Sequence, residues 1–388
     1  MKALIVNAEW NPKKNYPLSE DEKLRRRAVM GSQVWRSPVF NIKDVPIPAV
    51  RDDEVLIRIK VCGICGSDTH LYETDEEGYI IFSGLTKLPC ILGHEFSGVV
   101  EKTGSKVSGI KTGDKVAVES AMWCGICQPC RSGTPNQCRH LELMGLSVDG
   151  AFAEYAAVHE RYCWKINELT EVYPEEDVFD IGAIIEPVGC AYNGIFISGG
   201  GFKPGGIVVV YGVGPIGLGA VVLAKIAGAS QIIAFDVVDE RIKIARDMGA
   251  DYGFNINKMD RSSPGDKVME LTRGNGADVQ VEAAGAAPQT IPEMEKSLSS
   301  QGKIIYLGRA ATKTSMYLDT LVSGANMVVG ARGHAGYGIF PNIIKLIASG
   351  RLDLKKMITA KYPFAKVVEA IKKSVDRKDG KILVRVND

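Results

Sequence analysis

The uncharged stretch from Gly205 to Ala224 restricts the possible folds more than any other part of this chain. It is about as long as a membrane span of ~20 residues. Gly205, Gly206, Gly212, Gly214, Gly217, Gly219 and Pro215 would interrupt a spanning helix repeatedly, however. The β-branched run Ile207 to Val210 reads instead as a buried strand, and the glycines after it as a turn. Gly212-Val213-Gly214-Pro215-Ile216-Gly217 has the spacing G-x-G-x-x-G, which is weak alone. Context strengthens it: an apolar strand precedes it, a helical pattern toward Ala227 follows, and Asp236 comes at about the 20-residue interval of a dinucleotide-binding unit. Glycines let the backbone approach a pyrophosphate, whose charge meets the helix's first N–H groups. Asp236 is expected to accept hydrogen bonds from both ribose hydroxyls and to repel a 2′-phosphate, for which Val237 and Val238 offer no cation. That favours NAD over NADP.

From Gly206 onward, strands and helical patterns alternate. Ile207 to Tyr211, Gln231 to Asp236, Tyr252 to Asn255, Val279 to Ala283, Lys303 to Leu307 and Met327 to Gly330 read as strands. The expectation is an α/β fold with a doubly wound, parallel, six-stranded sheet. Asp239 is expected to cap a helix with Ile242, Ala245 and Met248 on one face and Gly249 as its stop. Ala284 and Leu307 follow later strands, where a nicotinamide would cross the sheet's switch point. Before about residue 188 the pattern is β-rich, with strands such as Val55 to Val61, Gly98 to Glu101 and Lys115 to Val118 between Gly- and Pro-containing turns. It predicts a partly open barrel. A helix at Ile343 to Ile347, ended by Gly350, is expected to pack back on that barrel, dividing the chain into 1–188, 189–331 and 332–388. Pro12 to Arg36 is charged and weakly periodic, and has no assigned role.

The length of 388 residues suits two domains. A net charge of +1 with interspersed signs argues against a nucleic-acid partner. Met1 to Trp10 lacks the hydrophobic run and cleavage site of a secretory leader, so a cytoplasmic protein without a membrane partner is expected. Four of the nine cysteines, Cys124, Cys127, Cys130 and Cys138, form C-x2-C-x2-C-x7-C. Four thiolates complete a tetrahedral zinc shell with no open position, so this site is expected to be structural. An iron–sulfur cluster is the competing reading.

A catalytic zinc needs about three protein ligands and a free position. Three places offer donors near turns: Cys65-Gly-Ser67-Asp68-Thr-His70, Gly93-His94-Glu95 and Ile185-Glu186-Pro187. Cys190 is a poorer alternative, and Cys62, Cys90 and Cys163 read as small buried hydrophobes.

Together these residues resemble the zinc-containing medium-chain dehydrogenases, in their polyol branch, over nearly the whole chain. The resemblance implies a GroES-like catalytic domain beside a Rossmann domain, two zinc ions per chain, NAD, and a homodimer or homotetramer. Cys65 and His94 would bind catalytic zinc, Glu95 would be a direct or exchangeable ligand, and Glu186 would complete the shell directly or through water. Ser67 would contact the reacting hydroxyl, His70 would extend the proton path, and Asp68 would orient the histidine by accepting its remaining N–H. Arg241 would lie near the adenosine. Simple alcohol dehydrogenases carry cysteine where Glu186 falls, so the glutamate points toward polyol and threonine dehydrogenases. The stretches Tyr72 to Ile80, Val148 to Tyr155, Glu186 to Asn193 and Gly333 to Pro341 resemble cyclitol dehydrogenases. They imply oxidation of a cyclitol or cyclitol ketone, with aminocyclitols, open-chain polyols and L-threonine as alternatives. A zinc-stabilised NAD-binding protein without catalysis is the alternative of another class.

Overall fold

The computed structural model describes residues 1–259, 262–310 and 312–387. The chain forms two compact units. One comprises Met1–Glu186, Ala360–Asp376 and the segment from Ile382, and the other comprises Pro187–Thr359 and Arg377–Lys381.

A strand order of Cys163–Lys165, Lys115–Val118, Glu95–Thr103, Glu54–Gly63, Lys381–Arg385 and Ile358–Pro363 builds the main sheet of the first unit, whose last two strands begin at residues assigned to the second. Glu54–Gly63 is shared along its length: its first half pairs with Tyr155–His159 and its last residues with Leu383 to Arg385. Its alternation places Val55, Ile57 and Ile59 in a core with Phe96, Val116, Phe152 and Val158. A smaller sheet pairs Lys2–Trp10 with Trp35–Asp44 and with Cys90–Ile91.

That pairing explains Pro12 to Arg36, which connects two antiparallel strands. Within it Ser19 and Glu22 form a capping box on the helix Glu20–Arg25. The Glu22 carboxylate is buried, accepting from the Tyr16 hydroxyl (2.7 Å), the Val29 N–H (2.9 Å), and the Ser19 N–H (3.0 Å) and hydroxyl (2.7 Å). Burial works against its charge, but these donors hold the carboxyl below its ordinary range.

The second unit is a parallel sheet in the order Tyr252–Asn255, Gln231–Asp236, Ile207–Tyr211, Ala277–Glu282, Leu298–Tyr306, Met327–Gly330. Numbered along the chain this is 3-2-1-4-5-6, the doubly wound dinucleotide-binding order. The fifth strand starts five residues before the expected Lys303, because Leu298 pairs with Ala277 ahead of an irregularity that polar Ser299, Ser300 and Gln301 do not signal in sequence. Asp239 is not the helix cap. Val238 is, and the Asp239 carboxylate is occupied by Asn255 Nδ2 (2.9 Å) and Lys258 Nζ (2.6 Å).

Residues 332–359 belong with this second unit, against the expectation that they return to the first. The helix Ile339–Ala348 buries Ile339, Phe340, Ile343, Ile344 and Ile347. Ile339 packs so closely on the helix Ile185–Tyr192 that a Cβ on Gly189 would lie 3.4 Å from its side chain. Among the described residues no single helix is long and apolar enough to cross a membrane.

Candidate active site

Cys65 is the N-cap of the helix Gly66–Tyr72, and Asp68 Oδ2 accepts its N–H at 2.8 Å. His94 and Glu95 arrive from another loop. Gly93 takes a left-handed φ of 89°, and any Cβ there would meet the Phe152 nitrogen and Cys62 Sγ at 2.8 Å, so only glycine fits. The antiparallel register then sets Glu95 opposite Gly63, two residues before Cys65. One donor atom each from Cys65, His94 and Glu95 lies within 4.8 Å of the others, with His94 and Glu95 buried and Cys65 half-buried. Ser67 Oγ is 3.5 Å from His94 Nε2. His70 follows three residues later on the same helix, half-buried.

Burial opposes a charge on His94, yet Cys65, Asp68 and Glu186 raise its pKa well above the ordinary imidazole value. Negative groups thus outnumber the one basic side chain in a buried space. A thiol, an imidazole and a carboxylate converging there fit a divalent cation of zinc's ligand preference. Asp68 does not hydrogen-bond to His94 as expected. Its Oδ2 serves as the cap for Cys65, His94 Nδ1 has no hydrogen-bond partner among the described residues, and Asp68 acts on the imidazole through charge. Glu186, in the first turn of Ile185–Tyr192, stands outside the 4.8 Å group, and its Oε1 accepts from Ser120 Oγ at 3.2 Å.

The four-cysteine cluster is local. Cys124, Cys127, Cys130 and Cys138 each offer a sulfur within 4.8 Å of the rest, and none is in a disulfide. Cys127 Sγ lies 3.4 Å from Cys130 Sγ and 3.8 Å from Cys138 Sγ. A tetrahedron with metal–sulfur bonds of ~2.3 Å has edges of about 3.8 Å. Backbone N–H groups, that of Cys130 foremost, pull the Cys127 thiol down to about 6, whereas burial pushes Cys130 up to about 12. Four crowded thiols resist ionising together, and a cation at their centre removes that conflict.

In the second unit Gly212 has φ 84° and its Cβ position meets the Ala284 backbone at 2.6 Å, while a Cβ on Gly217 would overlap the Gly212 carbonyl oxygen. Pro215 and Ile216 begin the helix Pro215–Ile226, with Gly214 as N-cap and Pro215 in its first turn. Buried Asp236 accepts from the N–H groups of Val213 (2.8 Å), Val237 (2.7 Å) and Val238 (3.0 Å). A carboxylate has about four acceptor positions. Roughly one remains, so it has room for about one ribose hydroxyl rather than both. Arg241 is not a solvated helix arginine: its Nε donates to the Asp379 carbonyl at 3.0 Å, and Nη1 lies 3.5 Å from the Cβ position of Gly214. Leu307 follows the fifth strand and donates its N–H to Glu282 at 2.9 Å.

Sequence reading passed over Glu119 and Ser120. They follow the apolar strand Lys115–Val118 and precede the cysteine run, and only their burial marks them out.

The sheet order, glycine loop and buried thiol–imidazole–carboxylate cage define a zinc-type, nucleotide-linked dehydrogenase. Residues 51–168 match the alcohol dehydrogenase GroES-like domain, and residues 215–349 match the zinc-binding dehydrogenase family. The chain is 38% identical over 384 residues to scyllo-inosose 3-dehydrogenase of Thermotoga maritima, covering 96% of each. It is 34% identical to L-threonine 3-dehydrogenase of Bacillus velezensis, covering 83% of this chain and 88% of that one. A solved Thermotoga maritima structure, provisionally assigned as an alcohol dehydrogenase, superposes with a TM-score of 0.95 at 36% identity, covering 99% of this chain and all of that one. This chain belongs to the zinc-binding dehydrogenases, enzymes that use zinc and a nicotinamide dinucleotide.

Proposed function

We propose that the protein oxidises a secondary alcohol of a cyclitol or cyclitol ketone to a ketone, with NAD as hydride acceptor. The observation that carries this reading is the convergence of Cys65, His94 and Glu95 in a buried, negatively charged cage. These three would hold the catalytic ion directly, with Glu186 behind them, and the four cysteines would hold the structural one. Zinc in the cage supplies a Lewis acid that eases deprotonation of a bound hydroxyl. Ser67, whose Oγ is 3.5 Å from His94 Nε2, would take that proton and pass it toward His70, which shares its helix face at i+3. NAD supplies the hydride acceptor. Asp236 favours it over NADP by charge, and Arg241 faces the glycine loop, where a pyrophosphate would lie. Ala284 and Leu307 would border the nicotinamide.

Similarity to scyllo-inosose 3-dehydrogenase over almost the full length, at 38% identity, favours a cyclitol. Likeness to L-threonine 3-dehydrogenase keeps amino alcohols in the test. The protein, loaded with zinc and NAD, is mixed with inositols, inososes, aminocyclitols, sorbitol and L-threonine while absorbance is followed at about 340 nm. A response to cyclitols or inososes well above the rest is the expected result. Preference for threonine would transfer the assignment, and silence across the panel would favour a non-catalytic NAD-binding protein.

A homodimer is also proposed. Among the described residues the terminal strand Met327–Gly330 has no strand paired on its outer edge, Met327 and Val328 are exposed, and nearby Leu318 and Val322 are 66% and 81% exposed. A second copy covering this edge removes an aggregation hazard. Light scattering on the native chain and on Val328→Lys tests it, a monomeric native chain being the contrary result.

A further inference from the structure

Ser120 lies between the two cysteine-containing sites of the first unit, and its surroundings hold it firmly. Ser120 and Glu186 are both buried, and Ser120 Oγ donates to Glu186 Oε1 at 3.2 Å. The Ser120 carbonyl accepts the Met144 N–H at 3.1 Å. Directly after it, Ala121 and Met122 pair with Leu143 and Glu142, closing the neck of the loop that carries the four cysteines. On its other side buried Glu119 accepts indole N–H bonds from Trp123 (3.1 Å) and Trp164 (3.3 Å), and its own N–H donates to the Tyr162 carbonyl at 2.8 Å. The Tyr162 hydroxyl donates in turn to the Trp123 carbonyl at 2.5 Å, one residue before Cys124. The dipeptide Glu119–Ser120 is therefore fixed by the base of the cysteine lobe, and Ser120 extends that fixation to Glu186.

A carboxylate oxygen that accepts an O–H bond is oriented by it and is a weaker donor toward a cation. Glu95 stands within the 4.8 Å group and Glu186 does not. We infer that Ser120 is a positioning residue that holds Glu186 as an outer anionic partner of the Cys65–His94–Glu95 cage, and so keeps the ion's remaining position open for substrate. The inference rests on the proposed assignment of that cage as the catalytic metal site. It gives the four-cysteine lobe a second task, since the lobe's neck keeps Ser120 in register.

The test uses the full-length protein with zinc retained by the four cysteines and cobalt(II) exchanged into the Cys65 site. Visible absorption reports coordination, and competition with a chelator reports affinity. Ser120→Ala removes the hydrogen bond that draws Glu186 Oε1 away from the shell. Cobalt is expected to bind about tenfold more tightly with an altered spectrum, and kcat/KM to fall about tenfold or more. Ser120→Thr keeps the hydroxyl and should restore the native spectrum and affinity. Adding Glu186→Gln to Ser120→Ala should abolish the gain in affinity. Unchanged spectrum and affinity in Ser120→Ala, or equal changes in the Ala and Thr variants, would overturn the role given to Ser120. If Cys65→Ser leaves cobalt binding intact, the cage assignment itself fails, a result that is distinct from either.

Discussion

The two cysteine-containing sites of the first unit differ in how the chain brings their donors together. Cys124, Cys127, Cys130 and Cys138 lie within fifteen consecutive residues, on a loop whose neck is a two-stranded ribbon. Their proximity is mostly a property of the local chain. Cys65, His94 and Glu95 come from two separate loops, and nothing local obliges them to meet. They meet because a helix cap sets Cys65, a glycine that tolerates no side chain turns the chain into His94, and an antiparallel register sets Glu95 beside Gly63. The first arrangement suits a metal that holds structure, and the second suits one that must face substrate.

The harshest attempt to break this contrast targets the dispersed site. Cys65→Ser and His94→Ala should each lower turnover by about a thousandfold or more, while NAD titration of the variants stays within about twofold of native. Normal turnover in both would end the proposal. Asp236→Ala extends the comparison to the second unit. It removes an anion that accepts three backbone N–H groups, and should raise the KM for NAD by roughly ten- to a hundredfold and narrow the preference over NADP, with a smaller change in kcat. Steady-state kinetics with both dinucleotides would measure this, and an unchanged ratio would move nucleotide selection elsewhere.

Cys127→Ser should cost one metal equivalent and lower the melting temperature by on the order of 5–10 °C. Turnover well below the melting range should fall far less than in Cys65→Ser. A loss as large as that of Cys65→Ser would show that the cysteine lobe acts on chemistry more strongly than a structural site does. The smallest effect belongs to Glu22, which orders the connection between the first two strands. Its carboxyl is held below the ordinary glutamate range when folded, so its contribution is present above that range and is lost as pH falls through the lowered folded value. Glu22→Gln should lower the melting temperature by about 2–4 °C at neutral pH, with the difference from native shrinking under acid. A difference that does not change with pH would assign the effect to packing.

Much of the second unit was legible because its signals are short-range. Four of its six strands have the expected bounds, and the glycine loop sits where its spacing puts it. The fifth strand begins earlier than its apolar pattern indicates, since Ser299, Ser300 and Gln301 carry no apolar alternation and lie in the irregularity between the paired residues Leu298 and Lys303. The return of the chain was misassigned for a related reason. An apolar helix face such as that of Ile339–Ala348 announces that it will be buried but not what will bury it; at Ile339 the close neighbour is Gly189.

Residue types and spacing alone were enough to specify the four-thiol cluster, the dinucleotide loop with its following Asp236, and the donors available for a second ion. Each depends on chemistry that travels with a few consecutive residues. Tertiary structure alone decided that Glu95 joins Cys65 and His94 while Glu186 stays bonded to Ser120, that Asp68 caps a helix rather than bridging to the imidazole, and that three backbone N–H groups already occupy Asp236. A hydrogen bond between groups dozens of residues apart depends on ångström-scale placement by strand register and packing, and no short segment contains that information.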